Sequence, residues 1–229
     1  MRVTIAKSVF CQTSRVDGDY RLRELEFLAG VNKTITYYKE NGCNFKVDVA
    51  KTYFSPRLAT ERERISSLIE DNEIIGNLFG GVGTFSILIA RANSTAKIYS
   101  VDSNIFAYKL CAENSLLNKV EGRVISLFGD ASQVMTNFLF NKCTRILMPL
   151  PERAREFVDV AVSSLINGKG VIHYYAHVSA HDRKHAAEKG ILDAKEAFKK
   201  YNHTIMRARV VREVGPRVYQ IVCDVNTKI

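Results

Sequence analysis

From residue 73 onward the chain alternates strand-like runs with segments of helical length. The strand-like runs cover residues 73–79, 96–101, 124–128, 145–149 and 171–175, and the helical segments cover residues 84–92, 105–117, 152–166 and 180–201. Strands joined through helices pair in parallel, because each helix carries the chain back to the edge where the next strand starts. After the last helix, residues 204–213 and 217–225 flank Gly215-Pro216 and predict a hairpin. This order predicts an α/β fold: a doubly wound, Rossmann-like sheet with a terminal antiparallel hairpin.

The front of the chain has a different pattern. Residues 33–39 and 44–50 read as strands around Asn41-Gly42, a dipeptide that favours tight hairpin turns. Pro56 follows and stops the second run. We therefore expect residues 1–55 to form a small mixed or β-rich domain and residues 56–229 to form the larger sheet domain.

Composition excludes several classes of protein. The 229 residues are 46% hydrophobic and 25% charged, which is ordinary for a globular chain and excludes a disordered or fibrous one. No apolar run reaches the roughly 18 residues of a membrane helix, and the first residues lack a signal-peptide pattern. The five cysteines contain no CxxC pair, which argues against a disulfide framework and a metal site. We expect a cytoplasmic monomer that binds neither a metal nor a membrane.

The net charge of +9 comes from 33 basic and 24 acidic side chains. Nine of the basic residues lie between residues 182 and 212, where only four acids accompany them. A basic excess of this kind favours a polyanionic partner such as nucleic acid. We expect this stretch, and Lys195, Lys199 and Lys200 in particular, to contact RNA phosphates; the alternative is a solvated helix face.

A glycine loop follows the first predicted strand of the sheet. Its sequence, Phe79-Gly80-Gly81-Val82-Gly83, is neither a GxGxxG nor a Walker A loop, so taken alone it is a weak signal. Asp102 ends the next strand, nineteen residues after Gly83, at the position that binds ribose hydroxyls in this fold. Asp130 follows the third strand. Together they indicate a nucleoside-containing cofactor; the alternative is that both acids are helix caps or solvated loop residues.

The order of these features resembles that of S-adenosylmethionine-dependent methyltransferases, whose sheet also ends in an antiparallel hairpin. Four segments narrow the resemblance to the archaeal and eukaryal tRNA (guanine-37) N1-methyltransferases: residues 20–25 (YRLREL), 53–62 (YFSPRLATER), 79–86 (FGGVGTFS) and 170–175 (GVIHYY). The resemblance implies methyl transfer from S-adenosylmethionine to N1 of guanosine 37, in the anticodon loop of tRNA. It also implies that this sequence lacks a further N-terminal tRNA-contacting domain.

The resemblance implies a role for each matching residue. Glu61 would be the general base, Arg21 would stabilise the guanine O6, and Tyr53 would lie near the target base and the cofactor. The implied cofactor-binding residues are Asn77, Phe79, Gly81, Gly83, Asp102, Asp130 and Pro151. The chemistry is consistent with these roles: guanine N1 carries a proton that a carboxylate can accept, and a guanidinium stabilises the negative charge that develops on O6.

Two positions depart from the family pattern. Asn77 stands where an acid is usual, and Pro149 replaces the asparagine of an Asn-Leu-Pro motif. These departures leave two alternatives open. One is transfer of the aminocarboxypropyl group of the same cofactor, or another wybutosine-pathway modification at the same tRNA position. The other is a non-catalytic tRNA-binding module, against which the retention of Glu61, Arg21 and the two aspartates argues.

Overall fold

A computed structural model describes residues 6–16 and 18–228. Its strands are β1 (Ser8–Gln12), β2 (Leu25–Gly30), β3 (Ile35–Glu40), β4 (Cys43–Asp48), β5 (Ile74–Asn77), β6 (Lys97–Asp102), β7 (Val124–Phe128), β8 (Arg145–Met148), β9 (Gly170–Ser179), β10 (His203–Gly215) and β11 (Val218–Thr227). Its α-helices are α1 (Ala59–Ser66), α2 (Thr84–Ala92), α3 (Ile105–Leu117), α4 (Ala131–Phe138), α5 (Val158–Ser164) and α6 (Arg183–Ala197). Among these described helices, none is both long and apolar enough to span a bilayer.

A seven-stranded sheet, in the order β10-β11-β9-β8-β5-β6-β7, organises the molecule. Five neighbouring strands of this sheet pair in parallel, in the order β9, β8, β5, β6 and β7. Strand β11 is antiparallel to both β9 and β10. This confirms the predicted α/β sheet and its terminal hairpin. The strand order reverses between β5 and β8, and open α/β sheets bind ligands outside the carboxyl ends of the strands at such a switch point. We call that edge of the sheet the carboxyl edge and the opposite one the amino edge.

Helices cover both faces of the sheet, so its central strands are buried on two sides. One core cluster joins the sheet to α4, α5 and α6, with Met135, Tyr174 and Phe198 among its largest members. The other joins the sheet to α1, α2 and α3, around Ile65 and Ile87. The carboxyl edge therefore lies between two packed layers of helices.

The β3–β4 hairpin packs into the second core. Its turn, Asn41-Gly42, has positive φ at both residues, which is the backbone conformation that the Asn-Gly pair favours. Phe45 is fully buried, and the Asn114 and Asn118 amides of α3 bond to the backbone of this hairpin. The β1–β2 hairpin forms a separate two-stranded sheet that is mostly exposed. The division at residue 55 stays a prediction, and the core itself continues across it.

Candidate active site

A cavity of about 410 Å³ opens at the carboxyl edge, between the sheet and the N-terminal part of the chain. The sheet contributes the ends of β5, β6, β7 and β8, and the front contributes Tyr53 and the segment around Arg21. The lining residues are Asp19, Tyr20, Arg21, Tyr53, Leu78, Phe79, Gly81, Asp102, Ser103, Asn104, Ala107, Asp130, Ala131, Pro149, Leu150, Arg153 and Phe157. Its size is within the range of small-molecule and cofactor sites.

The glycine loop forms one wall of the cavity. Gly81 has φ +57°, and a Cβ at this position would meet nothing within 4 Å, so its backbone is open to a ligand. Gly83 has φ +90° and precedes α2, and a Cβ there would lie 2.8 Å from the Cys111 sulfur. Gly83 therefore shapes the loop and allows α2 and α3 to pack closely, but it does not line the cavity.

The Asp102 carboxylate is fixed at the end of β6. One oxygen accepts from the Gly81 N–H at 2.7 Å, and the other accepts from the Asn104 N–H at 2.8 Å. Burial raises the pKa of Asp102 above its ordinary value, while these two backbone bonds act in the opposite direction. The side chain lines the cavity with remaining acceptor capacity, because each carboxylate oxygen can accept more than one bond.

The other predicted cofactor residues divide into two groups. Phe79 and Asp130 line the cavity, with the Phe79 ring edge-on to Phe157 and the Asp130 side chain capping α4 through the Gln133 N–H. The capping role that we gave as an alternative is thus present at Asp130 together with its place in the lining. Asn77 and Pro151 are both buried and lie outside the lining.

Asn77 lies behind the glycine loop. Its Nδ2 donates to the Ser86 hydroxyl at 3.1 Å, and Ser86 donates to the Ser100 hydroxyl at 3.0 Å. Its Oδ1 is buried with no partner among the described residues. The residue that replaces the usual acid therefore belongs to a small polar chain beneath the loop.

Arg21 and Tyr53 meet at the mouth of the cavity. The guanidinium carbon of Arg21 lies 4.4 Å from the centre of the Tyr53 ring, and the Tyr53 hydroxyl accepts from Arg212 at 3.2 Å. Two guanidinium nitrogens of Arg21 contact the two oxygens of Glu152 at 3.1 and 3.0 Å. The two predicted base-contacting residues are therefore adjacent, although 32 positions separate them in the chain.

Glu61 is fully buried in α1 and does not line the cavity. Its carboxylate accepts from the Tyr175 hydroxyl at 2.8 Å and from two nitrogens of Arg64. Burial and the Glu61 charge hold the pKa of Tyr175 well above its ordinary value, so the phenol remains a donor. Arg64 also bonds to Asp224, which contacts His173 at 2.6 Å. The predicted base thus belongs to a buried network of charges, and its catalytic role stays a prediction.

Several lining or contacting residues were not found from the sequence. Glu152, Arg153, His177 and Arg212 come from the loop after β8 and from β9 and β10, far from Arg21 in the chain. No motif signalled them, because only the folded sheet brings them to Arg21 and Tyr53. Tyr20, by contrast, lies in the first matched segment and could have been inferred there.

The sequence matches the family model described as the TRM5/TYW2 methyltransferase domain over residues 36–206. The match contains the cavity-lining parts of the sheet and excludes Arg21. It extends over more than two thirds of the chain and across the division at residue 55.

Individual relatives are similar over nearly the whole chain. A tRNA (guanine(37)-N(1))-methyltransferase Trm5b of Pyrococcus abyssi is 39% identical over 95% of this chain and 63% of its own length. A tRNA 4-demethylwyosine(37)-methyltransferase Taw21 of Saccharolobus solfataricus is 35% identical over 96% of this chain and 79% of its own length. A solved complex of aTrm5 and tRNALeu superposes with a TM-score of 0.83 and 37% identity, covering 97% of this chain and 61% of that one. The chain thus spans less than two thirds of the Trm5 proteins that it matches, and it belongs to the TRM5/TYW2 methyltransferase family.

Proposed function

We propose that this chain transfers the methyl group of S-adenosylmethionine to N1 of guanosine 37 in the anticodon loop of tRNA. The observation that carries the proposal is the shared cavity at the carboxyl edge. Asp102 and the glycine loop approach it from the sheet, and Arg21 and Tyr53 approach it from the front of the chain. A nucleoside-type donor and a nucleotide base can therefore be held side by side.

The sheet side of the cavity fits the donor. Ribose hydroxyls can donate to the Asp102 carboxylate, and the adenine amino group can donate to Asp130. Gly81 lets the backbone approach closely, while Phe79 and Leu78 supply apolar walls. When bound, S-adenosylmethionine would supply a methyl group already activated on a sulfonium, so the protein's task is to align the acceptor with it.

The side of the cavity that Arg21 and Tyr53 line fits guanine. The base is unreachable while stacked in the anticodon loop, so it must be turned out into the cavity. Tyr53 offers a ring for stacking, and Arg21 offers donors for O6, where negative charge develops as N1 loses its proton. Glu61 is the proposed proton acceptor, a role that requires its carboxylate to become accessible from behind Tyr175 and Arg64.

A second candidate is methylation of a wybutosine-type precursor at the same tRNA position. It is favoured by the Taw21 relative, because this chain spans 79% of that protein against 63% of the Trm5b one. Both reactions use the same donor. They differ in the base, since 4-demethylwyosine is a tricyclic derivative of guanine.

One labelling experiment separates the candidates. Unmodified tRNA transcripts with G37, and tRNA carrying 4-demethylwyosine, are incubated with methyl-labelled or carboxyl-labelled S-adenosylmethionine, and an A37 transcript is the control. Methyl label on the G37 transcript, with reverse transcription stopping at position 37, supports the first proposal. Methyl label only on the 4-demethylwyosine tRNA supports the second. Carboxyl label indicates aminocarboxypropyl transfer, and no label on any RNA indicates a binding module.

We also propose that the chain acts as a monomer in the cytoplasm. The support for a monomer is that the cavity of one chain already contains both the proposed donor side and the proposed base side, so the reaction needs no residue from a second chain. The support for a reducing compartment is that all five cysteines are unpaired. Light scattering after gel filtration and fractionation of the source cells test the two statements.

A further inference from the structure

A second cavity, of about 200 Å³, adjoins the first beside Arg21. The two cavities share Asp19, Arg21, Leu150 and Arg153, and Glu152 lines only the smaller one. We infer that Glu152 is a specificity-determining residue, and that Glu152 and Arg21 together recognise the Watson–Crick edge of guanine. This inference rests on the proposed function, which places a base at this end of the cavity.

The pair matches guanine by its hydrogen-bonding chemistry. Guanine presents one acceptor, O6, next to two donor positions, N1–H and the N2 amino group. A guanidinium only donates and an ionised carboxylate only accepts, so Arg21 suits O6 and Glu152 suits the N2 amino group, while N1–H is left to the proposed base, Glu61. Adenine presents an amino group where guanine has O6, and that donor would face the Arg21 donors.

The ion pair can open to admit the base. The Arg21 and Glu152 side chains are 20% and 41% exposed, and ion pairs at such partly exposed sites contribute little to stability. Each partner keeps a second contact when the two separate. The Arg21 guanidinium lies over the Tyr53 ring, and the Glu152 carboxylate lies 3.6 Å from the His177 Nδ1. A bound guanine would replace Glu152 as a partner of Arg21, and it would replace Arg21 as a partner of Glu152.

Other carboxylates near the cavities are less suited to this task. Glu61 is buried, is bonded to Tyr175 and Arg64 and lines neither cavity. Asp19 lines both cavities, but it is 80% exposed and pairs with Arg153. Pro149, on the same loop as Glu152, has no side-chain acceptor. Among the described carboxylates, Glu152 alone is paired with Arg21.

The test measures binding of short anticodon stem-loop RNAs that carry guanosine or inosine at position 37. Inosine lacks the N2 amino group and is otherwise the same base. Fluorescence anisotropy in the presence of S-adenosylhomocysteine gives Kd for the wild type, Glu152→Ala, Glu152→Gln and Glu156→Ala. Glu156 is the matched control, because it is exposed in the 3-10 turn just after Glu152, pairs with Arg153 and lines neither cavity.

We expect the wild type and Glu156→Ala to bind the guanosine RNA roughly tenfold more tightly than the inosine RNA. Glu152→Ala should bind the two RNAs equally, and Glu152→Gln should keep part of the preference, since its amide oxygen still accepts. Wild-type preference in Glu152→Ala, or no preference in the wild type, would overturn the inference. If circular dichroism shows that Glu152→Ala unfolds at a lower temperature than the wild type, the two Kd values of Glu152→Gln decide. A preference for guanosine smaller than that of the wild type supports the inference, and an unchanged preference contradicts it.

The proposed function is scored separately by the labelling experiment. Wild-type protein that distinguishes the two stem-loops through Glu152 and yet transfers no label supports the inference and contradicts the proposed function. Transfer to G37 with no dependence of the preference on Glu152 contradicts only the inference.

Discussion

Glu61 is a buried carboxylate and Asp102 a half-buried one, and their partners give them different access to the cavity. Asp102 is held by two backbone N–H groups, Gly81 and Asn104, and still lines the cavity. Glu61 is bonded to a phenol and to the Arg64 guanidinium, has the Arg209 guanidinium 3.6 Å away, and lines no part of the cavity. Backbone donors leave the far side of a carboxylate open to a ligand, whereas packed side chains surround it. At the scale of the residue, Asp102 is open to the proposed ligand, whereas the proposed role of Glu61 requires its surroundings to move.

Replacement of Glu61 by Gln tests the proposed base. The amide retains an acceptor for Tyr175 but cannot take a proton from guanine N1, so we expect the single-turnover rate of methyl transfer to fall by about 100-fold or more. The matched control is Glu63→Gln, an exposed acid in the same helix, which should keep the wild-type rate. A Glu61→Gln enzyme with full rate but reduced stability would assign Glu61 a purely structural role.

At the scale of the element, short-range signals predicted some boundaries well and missed others. The Asn41-Gly42 turn and the β10–β11 hairpin lie where they were expected. The predicted helix 152–166 is instead a 3-10 turn, the short α5 and a second 3-10 turn, and both Ser163 and Ser164 hydroxyls bond back to the Val160 carbonyl. Side-chain bonds of this kind compete with helix propagation. Helix α4, capped by Asp130, was not predicted.

The glycine loop gives a prediction about two neighbouring positions. Gly83→Ala forces φ +90° on a residue with a Cβ and places that atom 2.8 Å from the Cys111 sulfur, so we expect a loss of roughly 3 kcal/mol in the free energy of unfolding. Gly81→Ala has open space and should lose only about 1 kcal/mol. Its methyl group would enter the cavity, so S-adenosylhomocysteine binding should weaken more in Gly81→Ala. Urea unfolding and calorimetry measure both effects, and equal losses of stability would contradict the argument.

Asp224 joins three elements, because it contacts His173 on β9 and Arg64 on α1 from its own strand, β11. Burial acts to raise the pKa of Asp224, but the bonds from His173 and Arg64 outweigh it and hold that pKa well below the ordinary value of about 3.8. A carboxyl whose pKa is lower in the folded state stabilises the fold above its unfolded pKa. That contribution is lost as the pH falls below about 3.8.

We therefore expect Asp224→Asn to lower the free energy of unfolding by roughly 3 kcal/mol near neutral pH, because Arg64 is left without one of its buried partners. The difference from the wild type should narrow as the pH falls below about 4. Asp159→Asn is the control, since Asp159 is exposed and its pairing with Lys200 is worth less than about 1 kcal/mol. Urea unfolding across this pH range checks both; a constant difference would show that the carboxylate charge is not the cause.

At the scale of the whole molecule, the basic stretch 182–212 does not form one surface. Helix α6 begins at Arg183, near the carboxyl edge, and runs toward the amino edge. Strand β10 begins at the amino edge, because its first residue pairs with Thr227 and Thr227 pairs with Gly170, the first residue of β9. Lys199 and Lys200, near the amino edge, pair with Glu196 and Asp159 respectively. The lysines that we expected to contact RNA are thus at the edge opposite the cavity.

We therefore predict that the cations at the carboxyl edge dominate the proposed tRNA binding. Arg183, Lys184 and Arg217 are exposed there, and the Ala180 N–H bonds to the Arg217 carbonyl. Replacing these three by Ala should reduce the slope of log affinity against log salt by about 2, since each phosphate contact contributes roughly 0.7–0.9. The matched triple replacement of Lys195, Lys199 and Lys200 should change the slope much less. A larger change of slope for the lysine replacement than for the replacement of Arg183, Lys184 and Arg217 would place the RNA on the amino edge.

The sequence by itself determined the class of fold, the terminal hairpin and the positions of the glycine loop and Asp102. These depend on hydrophobic periodicity and turn chemistry, which act between near neighbours in the chain. Only the tertiary structure decided that Arg21 pairs with Glu152, 131 residues away, that Glu61 lies behind Tyr175, and that the basic stretch is divided between two edges. The physical reason is that the strand order of the sheet, rather than distance along the chain, decides which side chains meet at its edge.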